Sequence, residues 1–437
     1  MDLSNGQPHP FEIPELLSLI ASHLNLHDFS QLCLVCKHFS QVFRPFLWSA
    51  VVLEGFEEYH SPDLPWTQGL KQNGHLVKHA ELFSWFSWDG SDYNDYEDED
   101  ERQADLENDD LLLAETLLAH CGTNLTSLKI VDLSDDGRIW GAFMKRIKSN
   151  RTLEGAQQLN GIHALDINLT YDTIESRLMP LLAQPEKYRE AMTVFAEVKE
   201  LRFEGTVYET DTVRYGQRRV GIPEEDVEPI QITFWGLARL FPSLDKLSLH
   251  NIAVVECEQD DRTGPYESGT CAMASSRPEH AQLHTLNLSE CQISAKQVVQ
   301  VLERVRNVRS LKIGSRTAFM RGVEVLLKSL PELVPCLTEF EQDYFDFSDW
   351  STVLKGLPCL TRLCISNDAL IGDDGLRALA ESSCQDTLQD LLLTLFEDGH
   401  PPELDHAAKQ RFQSLIKLRS LELQYEAIPA TPQMDFE

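Results

Sequence analysis

The chain has 437 residues, 25% of them charged, and its 70 acidic against 38 basic side chains give a formal net charge of −32. A field of that sign repels phosphate backbones and anionic bilayers, so we expect neither nucleic acid nor a membrane surface among its partners. The chain begins without a basic and apolar leader and has no apolar run of about 18 residues, so we expect no secretion and no membrane span, and a cytoplasmic and/or nuclear location.

The first residues predict a short helix with apolar side chains on more than one face. Pro14 suits the first helical position, where its missing N–H is not needed. Apolar side chains in the stretch 13–24 then cover an arc of about 160°, wider than an ordinary surface helix requires. Asp28 followed by Gln31 predicts a capping box at the start of a second helix.

A third helix is predicted to end near Val42 or Phe43, because Pro45 biases Arg44 away from helical geometry. Segments below about 40 residues rarely fold without a staple or a partner, and these helices carry more apolar surface than they can bury together. The surplus must face either an external partner or the rest of the chain, in which case the helices are a cap on the following domain.

This region contains three short sequence strings in succession: Ile13-Pro14-Glu15-Leu16-Leu17, Val35-Cys36-Lys37-His38-Phe39 and Pro45-Phe46-Leu47-Trp48. Together, residues 9–50 resemble an F-box, the helical module that binds the Skp-type adaptor of a cullin–RING ubiquitin ligase. The chain departs from the family at Ile13, where Leu is usual, and at Phe39, where Trp is frequent. The resemblance implies that the adaptor is contacted by Ile13, Pro14, Leu16, Leu17, Ile20, Leu24, Val35, Lys37, Phe39, Leu47 and Trp48.

After the first fifty residues, a frame of apolar, two variable, apolar, one variable and apolar recurs ten times, with a weaker copy at Val77. The central residues are Leu128, Leu165, Leu201, Leu247, Leu286, Leu311, Phe340, Leu363, Leu391 and Leu421. From Leu286 onward they are 23 to 30 residues apart, and amphipathic helical stretches lie between them. The frame resembles leucine-rich repeats and predicts an α/β solenoid over residues 51–437, with parallel strands on its concave face and helices on its convex face.

Three segments interrupt the repeats. Residues 89–110 carry twelve acidic side chains against one Arg, a composition that predicts a disordered loop. Residues 205–228 and 256–282 are rich in Gly, Ser, Pro and charge, and we interpret them as surface insertions.

Successive side chains of a strand point to opposite faces, so the variable positions of each frame face away from the core. A target protein would meet them on the concave face, and its own surface would be basic or mixed in charge. The candidate target-binding residues are Lys129, Asp166, Arg202, Lys246, Asn287, Lys312, Glu339, Glu341, Arg362 and Glu422.

We find no phosphate loop, nucleophile elbow, metal-binding helix or dinucleotide fingerprint, and we expect no catalytic residue, no cofactor and no metal. Cys33, Cys36 and His38 superficially suggest metal ligands, but no second ligand pair follows at a suitable spacing. The scattered cysteines are most simply reduced.

The two resemblances imply a non-catalytic substrate-recognition subunit of an SCF-type ubiquitin ligase, with the Skp-type adaptor, the cullin–RING ligase and an unknown target protein as partners. Two alternatives stay open. The first is an F-box scaffold that assembles partners without degrading them. The second is a leucine-rich-repeat GTPase activator, which would use an exposed Arg.

Overall fold

A computed structural model describes residues 14–54, 65–84, 111–112, 114–121, 124–134, 137–150, 159, 161–206, 231–255, 282–314, 322–342, 350–366, 373–396, 413, 415 and 417–426. Ile13 and the acidic stretch 89–110 lie outside these residues, as do most of the two predicted insertions. The chain divides into two compact units. Unit 1 comprises residues 1–173, 189–198 and 208–220, and unit 2 comprises residues 174–188, 199–207 and 221–437.

In the described residues of unit 1, helices are combined with four parallel strands. Its helices are α1 (Pro14–Ala21), α2 (Leu26–Val35), α3 (Lys37–Leu47), α4 (Pro65–Asn73), α5 (Arg138–Ser149) and α6 (Arg189–Phe195), with a 3₁₀ turn at Gly74–Leu76 and helical residues at 114–120. Its strands are β1 (Ala50–Glu54), β2 (His79–Ser84), β3 (Ser127–Asp132) and β4 (Ala164–Thr170), and they pair in that order. The first three helices therefore belong to the same compact unit as β1–β4.

As far as the structure describes unit 2, it combines short helices with nine parallel strands. The strands are β5 (Glu200–Thr206), β6 (Gln231–Thr233), β7 (Lys246–Val255), β8 (Thr285–Gln292), β9 (Ser310–Ile313), β10 (Glu339–Gln342), β11 (Arg362–Ser366), β12 (Asp390–Phe396) and β13 (Ser420–Glu426). The helices are Met179–Ala183, α7 (Phe234–Leu240), α8 (Ala295–Leu302), α9 (Val323–Leu333), α10 (Trp350–Lys355) and α11 (Asp373–Ala380), with a π-turn at Ile174–Leu178 and a 3₁₀ turn at Pro185–Lys187. Strands β5 and β7–β13 are successive neighbours, and β6 pairs with β7. Throughout the described part of the chain, the helices are too short or too polar to cross a bilayer.

The recurring frame sets the register of the strands, and the predicted α/β class with parallel strands is confirmed. Between strands that carry the frame, frame residues lie opposite frame residues, as when Leu128 lies opposite Leu165 and Phe340 opposite Leu363; the β7–β8 pairing keeps this register up to Ser248 and then shifts. Nine of the ten central residues are at most 3% exposed, whereas Leu421 on the last strand is 39% exposed. Burying this apolar row on one face of each strand leaves the alternate side chains on the other face.

Two predictions about the N-terminal helices are wrong. Helix α2 begins at Leu26, and its capping box joins Asn25 to Asp28, with the Asp28 N–H donating to Asn25 Oδ1 over 3.0 Å. Helix α3 continues past Pro45 to Leu47. A proline this close to a helix end removes only one backbone hydrogen bond, and Phe46 and Leu47 pack against the helical core and offset that loss.

Strand β1 was not predicted, although its residues follow the same frame as the later strands. Trp48, Val51 and Leu53 are spaced as apolar, two variable, apolar, one variable and apolar. Leu53 is buried, and β1 pairs in register with β2. The frame was missed because its first residue belongs to the F-box-like string.

Gln342 occupies a frame position that other strands fill with an aliphatic side chain. It is 0% exposed and lies in register between Ile313 and Ile365. Within the described part of the chain, neither its amide nitrogen nor its amide oxygen has a hydrogen-bond partner. A buried amide in this state loses its hydration without compensation, which costs free energy of folding.

We predict that Gln342→Leu raises the free energy of unfolding by about 1–3 kcal/mol, because it removes the uncompensated amide and restores the apolar row. Denaturant titration of the full chain measures the change. The matched variant is Ile365→Gln, which places the same amide at the neighbouring fully buried position and should lower stability. A Gln342→Leu chain less stable than the parent would contradict the assignment.

Candidate functional site

The first three helices enclose a small apolar core of their own. Leu17, Ala21, Phe29 and Phe43 are buried together. The aromatic rings pack closely: the Phe29 centroid lies 6.1 Å from that of Phe43, and the Phe43 centroid lies 5.6 Å from that of Phe39, edge to face. This core sets the rotation of α1 and α2 and so decides which side chains point outward.

Helix α1 presents a second apolar face to solvent. Leu16, Leu19 and Ile20 are 42%, 62% and 40% exposed. Their spacing of three and four residues places them on one side of the helix. Leu17 and Ala21, four residues apart, form the inward side. The wide apolar arc predicted from the sequence therefore consists of two faces of α1, and only one of them is buried in the helical core.

Helix α2 exposes apolar side chains at both of its ends. Leu26 is 59% exposed, and Leu34 and Val35 are 80% and 65% exposed. Lys37, which follows directly at the start of α3, is also exposed. Large apolar side chains in such numbers within one small helical region are characteristic of interaction surfaces. We call Leu16, Leu19, Ile20, Leu26, Leu34 and Val35 the exposed apolar set.

The residues implied as adaptor contacts fall into three groups. Leu16, Ile20, Val35 and Lys37 are exposed; Leu24, Phe39, Leu47 and Trp48 are half-buried; Leu17 is buried at 1% exposure. Ile13 lies outside the described residues, and only the backbone of Pro14 is described. Leu19, Leu26 and Leu34 are exposed but were not in the implied set, although the helical spacing of Leu16, Leu19 and Ile20 could have pointed to Leu19.

Trp48 has a structural contact that the sequence did not indicate. Its indole ring lies against α4, where a Cβ added at Gly69 would stand 2.6 Å from Trp48 Cη2. Gly69 thus leaves the space that the ring fills. Trp48 packs in part against the chain itself, so a substitution of Trp48 would change that packing as well as any contact with a partner.

Cys33, Cys36 and His38 make contacts that belong to the helices themselves. Cys36 caps α3, with the Phe39 N–H donating to Cys36 Sγ over 3.5 Å. Cys33 packs against the helical core, and burial raises the pKa of its thiol above the ordinary value. Within the residues that the structure describes, no three His, Cys, Asp or Glu side chains are grouped so as to hold a metal ion.

In unit 1, the face of the strands opposite the frame residues carries an ion pair. Lys129 Nζ lies 3.4 Å from Glu81 Oε2 and 4.9 Å from the centroid of the Phe83 ring. Asp166, the other predicted target-binding residue of this unit, is in register with Lys129 on the neighbouring strand. Because both partners of the ion pair are more than a third exposed, the pair contributes little stability.

In unit 2, the same face carries two rows of mostly polar side chains across the strands, which we call the strand face. One row is Glu200, Lys246, Thr285, Ser310, Glu339, Arg362, Asp390 and Ser420. The other is Arg202, Ser248, Asn287, Lys312, Glu341, Cys364, Leu392 and Glu422. Acidic and basic side chains alternate along the first row, and each row contains an ion pair between neighbouring strands.

Cross-strand ion pairs hold two lysines of the strand face. Lys246 Nζ lies 2.6 Å from Glu200 Oε1, and this contact raises the pKa of Lys246. Lys312 Nζ lies 2.6 Å from Glu341 Oε1. Arg202 lies 3.4 Å from Glu204 on its own strand. These contacts neutralise much of the basic charge that the sequence made available for a target.

Four of the predicted target-binding residues line one shallow depression on the strand face. Its polar and ionisable side chains are Ser310, Lys312, Glu339, Glu341, Arg362 and Cys364, from β9, β10 and β11. The Ser310 hydroxyl donates to Glu339 Oε2 over 3.0 Å. The structure therefore brings Lys312, Glu339, Glu341 and Arg362 into one candidate site. Comparisons with known proteins add no assignment, because no protein-family model and no curated protein matches the chain.

Two of the cysteines are held as unreactive thiols. Cys121 is 0% exposed, and burial raises its pKa to about 12. Cys384 is also fully buried, and burial raises its pKa as well. Thiolates are the reactive form, so neither side chain is a nucleophile near neutral pH in the folded chain.

We predict that iodoacetamide at pH 8 modifies exposed Cys36, Cys336 and Cys359 of the native chain while Cys121 and Cys384 stay unmodified. Peptide mass spectrometry after timed quenching measures the rates, and labelling in denaturant supplies the control in which all five react. Equal native labelling of Cys121 and Cys36 would show that the described burial is wrong.

Proposed function

We propose that this chain is a non-catalytic substrate-recognition subunit of an SCF-type ubiquitin ligase. In this proposal α1–α3 are an F-box that binds a Skp-type adaptor. The observation that carries the proposal is the double face of α1: Leu17 is buried in the helical core, while Leu16, Leu19 and Ile20 remain exposed beside it. The alternative in which these helices merely cap the following domain would require that outer face to be covered by the chain itself.

The energetics of the exposed apolar set support a protein partner. Fully burying one large aliphatic side chain contributes about 1.5–3 kcal/mol. Six such side chains on two short helices offer a partner more than a single anchor, and buried apolar anchors dominate the energy of protein interfaces. Without a partner, the same exposed side chains favour aggregation of the chain. A permanently bound partner would therefore also prevent aggregation.

The remainder of the chain would be a leucine-rich-repeat solenoid that presents a target on its strand face. In support, the frame recurs with parallel, in-register strands, and the strand face carries charges that vary from strand to strand. Such a receptor forms no covalent bond itself. It raises the effective concentration of a target lysine near the activated ubiquitin thioester of the assembled ligase, in the cytoplasm or nucleus.

We predict that Leu16→Asp and Leu34→Asp each weaken binding of a purified Skp-type adaptor by at least about tenfold, because each places a charge on an apolar contact. Isothermal titration calorimetry with the full chain measures the affinity. Both residues are exposed, so circular dichroism and the unfolding midpoint should be unchanged.

Two further variants make the result interpretable. Val325→Asp introduces the same charge at a 69% exposed aliphatic position on α9 and should not alter adaptor binding. Leu17→Asp should unfold the helices, because that side chain is 1% exposed. Unaltered adaptor affinity in both the Leu16→Asp and Leu34→Asp chains would refute the F-box assignment.

Degradation of the captured protein distinguishes a ligase subunit from a scaffold that binds the same adaptor. We predict that a protein captured by the strand face accumulates in cells when the parent chain is replaced by the Leu16→Asp chain, since the target would still bind but would no longer reach the ligase. Pulse–chase labelling of the captured protein measures its half-life. An unchanged half-life alongside lost adaptor binding favours the scaffold.

A further inference from the structure

Arg362 differs from the other basic side chains on the described strands. Lys129, Arg202, Lys246 and Lys312 each form an ion pair with a carboxylate. In the part of the chain that the structure describes, Arg362 is the one strand Lys or Arg without such a pair. It is exposed and lines the depression formed with β9 and β10.

The surroundings of Arg362 explain why this guanidinium is available. It lies in register between Glu339 on β10 and Asp390 on β12. Glu339 instead accepts a hydrogen bond from Ser310, and Glu341 on the same strand is held by Lys312. The neighbouring polar contacts are therefore made without Arg362, whose guanidinium carries five N–H donors and belongs to an exposed side chain that lines the depression.

The charge pattern around Arg362 limits which ligand the depression can take. Lys312 and Arg362 balance Glu339 and Glu341 within the lining, and Asp390 adds a further negative charge beside Arg362. A phosphate dianion would be repelled by three carboxylates, whereas the single charge of an Asp or Glu side chain matches one guanidinium fork. The negative, positive, negative order of Glu339, Arg362 and Asp390 is complemented by an acidic side chain with basic neighbours.

We propose that the depression around Arg362 is the subsite for an acidic side chain of the target protein, flanked in the target by basic residues that contact Glu339 and Asp390. This inference rests on the proposed function, because it takes the strand face as the target-binding surface. It defines the target as a protein segment of mixed charge. The chain's net charge of −32 favours the approach of such a segment through its basic residues, and Arg362 selects for the acidic one.

The test uses fluorescein-labelled Gly/Ser peptides with a central Arg-Asp-Arg, Arg-Asn-Arg or Arg-phosphoserine-Arg sequence, and fluorescence polarisation with the full chain. The Arg-Asp-Arg peptide should bind tightest, and Arg362→Gln should weaken it by about three- to tenfold, as expected for a charge-assisted contact that is partly exposed. The Arg-Asn-Arg peptide, which lacks the carboxylate, should bind the parent and Arg362→Gln chains equally.

A matched variant separates a specific contact from a change in net charge. Lys355→Gln removes one positive charge from an exposed position on α10, and it should leave the Arg-Asp-Arg affinity unchanged. Equal losses in the Arg362→Gln and Lys355→Gln chains would overturn the proposal, as would tightest binding of the phosphoserine peptide. Adaptor binding is measured on the same chains; if it persists while the peptide result fails, the subsite is wrong and the ligase assignment stands.

Discussion

Burial of the recurring apolar frame is the constraint on which the rest of the molecule depends. The strands that carry the frame place its side chains on one face, and the parallel pairing sets Leu128 against Leu165 and Leu311 against Phe340. A slip of one residue would turn every such side chain to the opposite face, so the register is strongly specified. Because one face is fixed by burial, the opposite face can vary in charge from strand to strand without loss of the fold.

The frame allowed the sequence to predict most of the strands and their direction, with β1 and β6 as exceptions, but the helices at the N-terminus show where that reasoning stops. Leu16 and Leu17 are adjacent, equally apolar and both match the F-box-like pattern, yet one is 42% and the other 1% exposed. Only the packing of Phe29 and Phe43 decides which one points inward. Pro45 was misleading for a related reason, because tertiary contacts of the last helical turn overrode a local preference.

The candidate target site was predictable as a surface but not as a set of available charges. Strand alternation correctly placed Lys312, Glu339, Glu341 and Arg362 on one face. Periodicity carries no information about which lysine reaches which carboxylate across a strand, and that decides the chemistry on offer. Lys312 is occupied by Glu341 at 2.6 Å, while Arg362, flanked by two carboxylates in register, pairs with neither of them in the described structure.

The two candidate surfaces differ in the physics that each can contribute to recognition. An apolar surface such as the exposed apolar set on α1 and α2 binds through the hydrophobic effect, by burying apolar area that was in contact with water. This contribution to affinity is large and depends little on direction. This suits a partner that is always the same. Charged rows with internal ion pairs offer little net affinity but discriminate strongly, since a mismatched partner must leave a charge uncompensated. The proposed function, binding of one fixed adaptor and one selected target, needs both kinds of surface: α1 and α2 carry the apolar kind, and the strands of unit 2 carry the charged kind.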